Sequence, residues 1–215
     1  MKLISVHTPK AGGTSTARSL RNAFGPRFRS ETSDDPADPA SERNINPKRY
    51  FARNRDVASD IECVHGHFHP GQFKLQEDIF LFTILRHPVE NIISIYAFWR
   101  ELKSQGNLLH DYFLREGLSI IEMAQLPLIR RLYSQAYFGD FDMGRFNLIG
   151  RHESREKALQ SLGAAIGVKL DIANHDNRGP RSDEIYALMS DRVVINRLHS
   201  ILSDDIRFYE KFCRS

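Results

Sequence analysis

His7-Thr8-Pro9-Lys10-Ala11-Gly12-Gly13-Thr14-Ser15 is the stretch that decides how this chain folds. Just before it, Leu3-Ile4-Ser5-Val6 is a mainly apolar run of the length of a buried strand. Just after it, Ala17, Leu20 and Phe24 recur at helical spacing over residues 16–24, and Gly25-Pro26 stops the helix. Strand, glycine-rich turn and helix, in that order, make an anion site. The first amides of a helix lack internal partners, and the helix dipole places partial positive charge there. Gly12 and Gly13 admit a bound group close to the backbone, the hydroxyls of Thr14 and Ser15 can donate, and Lys10 adds a full charge. Taken alone, the same turn also reads as an ordinary strand-to-helix connection. The nucleotide triphosphatase loop places its lysine directly before the hydroxyl residue, whereas here the lysine precedes the glycines.

Outward from that turn, Ile79-Phe80-Leu81-Phe82-Thr83-Ile84-Leu85 is the strongest strand, apolar almost throughout as for a strand buried on both faces. It runs into Arg86-His87-Pro88, and Val89, Ile92, Ile93, Tyr96 and Ala97 then form a helical stripe. Arg86 therefore falls at the carboxyl end of a central strand, the edge where open α/β sheets bind ligands. Ser94 follows about two turns into the helix. An arginine and a serine so placed can share one phosphate; alternatively, Arg86 pairs with an acidic residue and Ser94 is a tolerated helix serine. Between these blocks lies Ile61-Glu62-Cys63-Val64-His65-Gly66-His67-Phe68-His69, whose first half reads as a short strand. If extension persists, His65 and His67 share a face. Such a pair serves as metal ligands, as a proton-transfer group with an orienting neighbour, or as structural hydrogen-bonders. Further ligands at zinc spacing are not evident.

Residues 26–60 read as a flexible insertion: a polar, proline-rich stretch at 33–41, then Arg43, Lys48, Arg49, Arg53 and Arg55. The run from 107 to 138 reads as helical and core-facing, with a break at Pro127. Residues 146–150 read as a strand, 153–166 as a helix, 174–181 as a loop, and 192–212 as a helix with a break near Ser203.

The 215 residues suit one domain, 1–215. A net charge of +3 is too weak to argue for nucleic acid, though it fits a local anion site. No apolar run reaches membrane-spanning length, and because the residues after Met1-Lys2 enter the first strand at once, no secretory leader is expected. Cys63 and Cys213 form no metal or disulfide pattern, so a cytoplasmic setting is expected.

Together these residues resemble the sulfotransferases that use 3′-phosphoadenosine 5′-phosphosulfate (PAPS), and within them the carbohydrate branch of heparan sulfate and uronyl 2-O-sulfotransferases. Pro9-Lys10-Ala11-Gly12-Gly13-Thr14-Ser15 resembles the family's 5′-phosphosulfate loop. Leu85-Arg86-His87-Pro88 with Ser94 resembles its 3′-phosphate motif. His65-Gly66-His67 resembles the His-Gly-His of the 2-O branch, whose second histidine is the favoured base, and Leu202-Ser203-Asp204-Asp205-Ile206-Arg207-Phe208-Tyr209-Glu210 resembles its C-terminal ending. The resemblance implies an α/β fold of P-loop-like sulfotransferase architecture, with a central, mostly parallel sheet flanked by helices. It implies transfer of a sulfuryl group from PAPS to a hydroxyl, on a carbohydrate. His67 is then the base with His65 as neighbour or substitute, and Lys10 faces the leaving phosphate. Lys10, Ala11, Gly12, Gly13, Thr14, Ser15, Arg86 and Ser94 hold the donor, and no metal is expected. The alternatives are a nucleotide kinase-like phosphotransferase and a nucleotide-binding module without catalysis. Neither the acceptor nor the oligomeric state follows from these motifs.

Overall fold

The computed structural model describes residues 1–32, 34–172 and 183–213, so the loop expected at 174–181 lies outside the described residues. Five strands form one sheet in the order β2-β3-β1-β4-β5. They are β1 (Lys2–His7), β2 (Phe28–Glu31), β3 (Cys63–Gly66), β4 (Ile79–Leu85) and β5 (Leu148–Arg151). Every ladder is parallel. β1 sits in the middle, with Ser5 opposite His65 on one side and Phe82 on the other. The chain fills one flank and then the other, so the switch in strand order falls at the carboxyl end of β1, beside the glycine-rich turn.

The helices among the described residues are α1 (Gly13–Phe24), α2 (Glu42–Ile45), α3 (Pro47–Ala52), α4 (Pro88–Glu101), α5 (Leu108–Glu116), α6 (Ile120–Gln125), α7 (Pro127–Arg130), α8 (Arg155–Ile166), α9 (Asp183–Ser190), α10 (Arg192–Ile201) and α11 (Ser203–Phe212). Side-chain alternation along the strands divides the core into two layers. Leu3, Cys63, Phe82 and Ile84 pack against Leu20 and Phe24 of α1 and Leu159 and Leu162 of α8. Ile4, Val6, Val64, Leu81 and Leu85 face the larger layer, which holds Ile92, Ile93 and Ile95 of α4, Met123 of α6 and Leu198 of α10.

The segment at 26–60, expected as an insertion, opens with a strand of the sheet. Phe28-Arg29-Ser30-Glu31 carries little apolar signal because β2 is an edge strand, and edges favour polar residues. The remainder packs on the body through buried Ala37, Tyr50 and Val57, and Arg43 Nη2 donates to the Gln135 carbonyl at 2.7 Å. The expected break at Pro127 begins α7, where proline occupies the first turn. The run does not continue as an α-helix: Leu132–Tyr137 is a π-helical turn.

That turn is pinned from α11. The buried Asp205 carboxylate accepts from the Tyr133 amide (2.8 Å), the Ser134 amide (2.9 Å) and the Ser134 hydroxyl (2.6 Å). Burial pushes the Asp205 carboxyl up to about 6 even with those donors. A folded-state pKa above the unfolded value means the folded state holds the proton more tightly, so stability falls as pH rises from about 4 to about 6. Asp205→Ala should remove that slope in urea titrations across the range. At pH 7 it should also lower stability by at least about 1–3 kcal/mol, since a buried donor left unpaired costs that much.

Candidate functional site

Because all strands run the same way, the loops leaving their carboxyl ends open on one edge. The turn after β1 is tied to its neighbours. The Thr8 hydroxyl donates to the Ile84 carbonyl at 3.1 Å, and Asn91 Nδ2 donates to the Pro9 carbonyl at 2.7 Å. Gly12, at φ +84°, caps α1 without a side-chain cap bond, and the first intrahelical amide bond closes from Thr16 to the Gly12 carbonyl at 3.1 Å. The amides of Gly13, Thr14 and Ser15 therefore precede the helical ladder. The Thr14 side chain is exposed, whereas Ser15 is buried and the Thr16 hydroxyl turns back to the Gly12 carbonyl.

Cations crowd this turn. Lys10 Nζ lies 4.2 Å from the centre of the Phe98 ring. The pKa of Lys10 is lowered by burial first and by Arg86 second, with Glu101 opposing. Arg86 Nη1 reaches the Lys10 carbonyl at 3.5 Å, and its Nε lies 3.5 Å from Glu90. The acidic partner that the sequence left open for Arg86 is thus present, at the long limit of an ion pair. On α4, Asn91, Ser94 and Phe98 fall on one face by helical phase. Asn91 and Phe98 both touch the turn, and Ser94 is half-buried one turn beyond Asn91.

A further cation comes from α8. A Cβ on Gly12 would lie 2.8 Å from Arg155 Cδ and 2.9 Å from its Nη1, so the guanidinium rests on the glycine. Arg155 Nε is buried without a partner among the described residues. His152 lies close by, its pKa lowered to about 4 by burial, then by Arg86 and Arg155. The sequence signal for Arg155 is slight: it opens the helix after the last strand, a place legible only once β5 is known to flank β4.

The histidines gather on the other side of the turn. A Cβ on Gly13 would fall 1.8 Å from His7 Nε2, so the His7 ring lies directly on that glycine. His7 stacks on His65, centroids 5.5 Å apart, and meets His67 at 4.5 Å. His65 and His67 do share a face. Register explains why His7 joins them, since Ser5 lies opposite His65 and His7 follows Ser5 by two. His65 is 5% exposed, its Nδ1 2.9 Å from the Ser5 hydroxyl, and burial lowers its pKa to about 3. His67 is partly exposed; its pKa is lowered by burial, with Asp35 and the His7 backbone opposing. His7 is held well below the ordinary value by burial, then by His67, His65 and Lys10. All three imidazoles are therefore neutral near pH 7. His69, peripheral in sequence terms, is buried and bonds the Gly139 carbonyl through Nε2 at 2.9 Å. No group of three or more candidate metal ligands occurs among the described residues.

No family model and no curated protein matches the chain. Among solved structures it is similar to a sulfotransferase from Alicyclobacillus acidocaldarius, at 16% identity over 97% of this chain and 98% of that one, with a TM-score of 0.41. It is also similar to mouse sulfotransferase SULT7A1 complexed with PAP, at 10% identity over 98% and 82%, with a TM-score of 0.37. Scores and identities this low carry no argument about chemistry. No helix among the described residues is long and apolar enough to cross a membrane.

The conformational and steric parts of the Gly12 site are separable by mutation. Gly12→Ala meets both a left-handed backbone and the Arg155 side chain, whereas Gly167→Ala, left-handed at φ +69° and ψ +27°, meets nothing within 4 Å. Gly167→Ala should cost only the backbone strain, roughly 1–2 kcal/mol in chemical denaturation. Gly12→Ala should cost visibly more, and Gly12→Ala with Arg155→Ala should return to the Gly167→Ala level.

Proposed function

We propose that this protein is a sulfotransferase that moves a sulfuryl group from PAPS to an acceptor hydroxyl on a carbohydrate. The observation that carries the reading is one of charge. Lys10, Arg86 and Arg155 are crowded around the open amides of α1, close enough for Arg86 to lower the Lys10 pKa. Like charges held this near one another favour a polyanion between them. A neutral, partly exposed imidazole, His67, stands across the same turn.

Each part has a task. The amides of Gly12 and Gly13, with Ala11, Thr14 and Ser15, hold the 5′ side of the donor, where backbone donors suit phosphate oxygens. Arg86, together with Ser94 of α4, takes the 3′-phosphate. The acceptor oxygen attacks sulfur as its proton passes to His67, and the bond from sulfur to the 5′-phosphate oxygen breaks. Lys10 meets the charge that grows on the departing phosphate. His65, buried against Ser5, supports the strand end that carries His67. These groups address both phosphates without a metal.

Calorimetry and a sulfate-transfer assay with labelled donor test the reading together. 3′-Phosphoadenosine 5′-phosphate should bind more tightly than adenosine 5′-phosphate by about 1.5–3 kcal/mol, the worth of one charge-assisted contact, and Arg86→Ala should abolish the difference. Equal affinities in the native protein would remove the 3′-phosphate assignment. His67→Ala should lose about 10²–10⁴-fold in turnover, as for a general base, while donor affinity holds. Lys10→Ala should lower turnover more than it weakens binding of the desulfated product. Phosphoryl transfer from a nucleoside triphosphate, or donor binding without any transfer, would replace the proposal by a kinase-like enzyme or a binding module.

A further inference from the structure

Tyr137 lies fully buried in the π-helical turn, and its hydroxyl stands between two groups that the reaction scheme above does not join. It is 2.8 Å from His67 Nδ1 and 3.2 Å from Asp35 Oδ1. We propose that Tyr137 and Asp35 are positioning residues that hold His67 in its Nδ1–H tautomer, leaving Nε2 as the atom that takes the acceptor's proton. The inference rests on His67 being the base.

Hydrogen counting carries it. A phenol has one proton to give, and a carboxylate can only accept. The Tyr137 proton therefore points to Asp35, and its oxygen turns a lone pair toward His67. Only a protonated Nδ1 satisfies that lone pair. The reverse arrangement, with the phenol donating to His67, would leave a carboxylate oxygen facing a phenol oxygen with no proton between them. Asp35 is itself fixed, since its Oδ1 also accepts from the Ala37 amide at 2.9 Å. Tyr137 does not ionise in the process, because burial and then Asp35 hold its pKa well above the ordinary value.

The proton balance is simple. The acceptor hydroxyl loses its proton to Nε2 as its oxygen bonds to sulfur. The Nδ1 proton stays in place, and no proton passes through Tyr137. The ring becomes a cation bonded through Tyr137 to the Asp35 carboxylate. His7 from β1 and His65 from β3 face the same ring, with Lys10 beyond His7, and charge on any of these opposes the new cation. Asp35 is the charged group that favours it, and the His7 backbone favours it as well.

Long-range ¹H–¹⁵N spectra of uniformly labelled full chain read the tautomer directly, with His67→Gln supplying the assignment by subtraction. The expected spectrum shows His67 protonated at Nδ1 and bare at Nε2. Tyr137→Phe should lose that preference and reduce kcat by about 10–100-fold, the usual effect of removing an outer partner of a working histidine, with affinity for 3′-phosphoadenosine 5′-phosphate unchanged. Asp35→Asn keeps an acceptor for Tyr137 and removes only the charge. Transfer needs neutral His67, so its rate rises with pH through the His67 pKa, and losing Asp35 lowers that pKa. The acid limb of the pH profile should move to lower pH in Asp35→Asn, and it remains readable if Tyr137→Phe fails to fold. A native His67 protonated at Nε2, or an Nδ1 tautomer unmoved in folded Tyr137→Phe, overturns the proposal. The expected tautomer in a protein that transfers no sulfate supports the positioning and instead removes the proposed function.

Discussion

The parallel register of β1 between β3 and β4 is the constraint on which everything else in this molecule depends. It puts the carboxyl ends of all five strands on one edge, so the groups that follow those strands meet although the sequence scatters them. The turn after β1, His67 after β3, Arg86 after β4 and Arg155 after β5 are separated by tens of residues and share one rim. The same register puts Ser5 beside His65 and carries His7 to the His67 ring. A slip of one residue would turn these side chains to the opposite face and replace them with apolar neighbours.

A second, smaller device links the two halves of the rim. The π-helical turn Leu132–Tyr137 sends Tyr133 to one side of the site and Tyr137 to the other. The Tyr133 hydroxyl donates to the Arg86 carbonyl at 3.0 Å, while the Tyr137 hydroxyl meets His67. Both rings are buried, and Asp205 holds the turn from α11. The cationic half and the imidazole half are therefore supported from one short piece of backbone. π-Helical turns recur at functional sites because the widened turn places side chains that a regular helix would misdirect.

How much of this the chain discloses depends on the range of the interaction. The strand, turn and helix at 2–24 and the strand and helix at 79–101 are legible because their apolar spacing and their glycine and proline signals are local. Lys10 and Arg86 can be singled out from those signals, and His65 and His67 from alternation along the short strand at 61–69. β2 cannot, since an edge strand lacks the apolar signature, and Leu132–Tyr137 reads as an ordinary helix because a π-turn leaves little mark in spacing. Arg155, Tyr137 and Asp35 escape for a different reason: each gains its place only through pairing across long stretches of chain. His7 was visible as a letter in the turn, but its meeting with His67 is a matter of register.

Lys10 adopts a left-handed backbone, φ 56°, which costs a non-glycine residue roughly 1–2 kcal/mol. Glycine there would relax the bend, and asparagine would tolerate it better, yet either would remove the cation from the turn. The residue is poorly matched to its backbone and well matched to its charged surroundings. Anyone seeking a more heat-tolerant form of this protein would find position 10 among the easiest improvements on conformational grounds. It is also a position where such an improvement would come at the expense of the site, because the strain and the charge belong to the same residue.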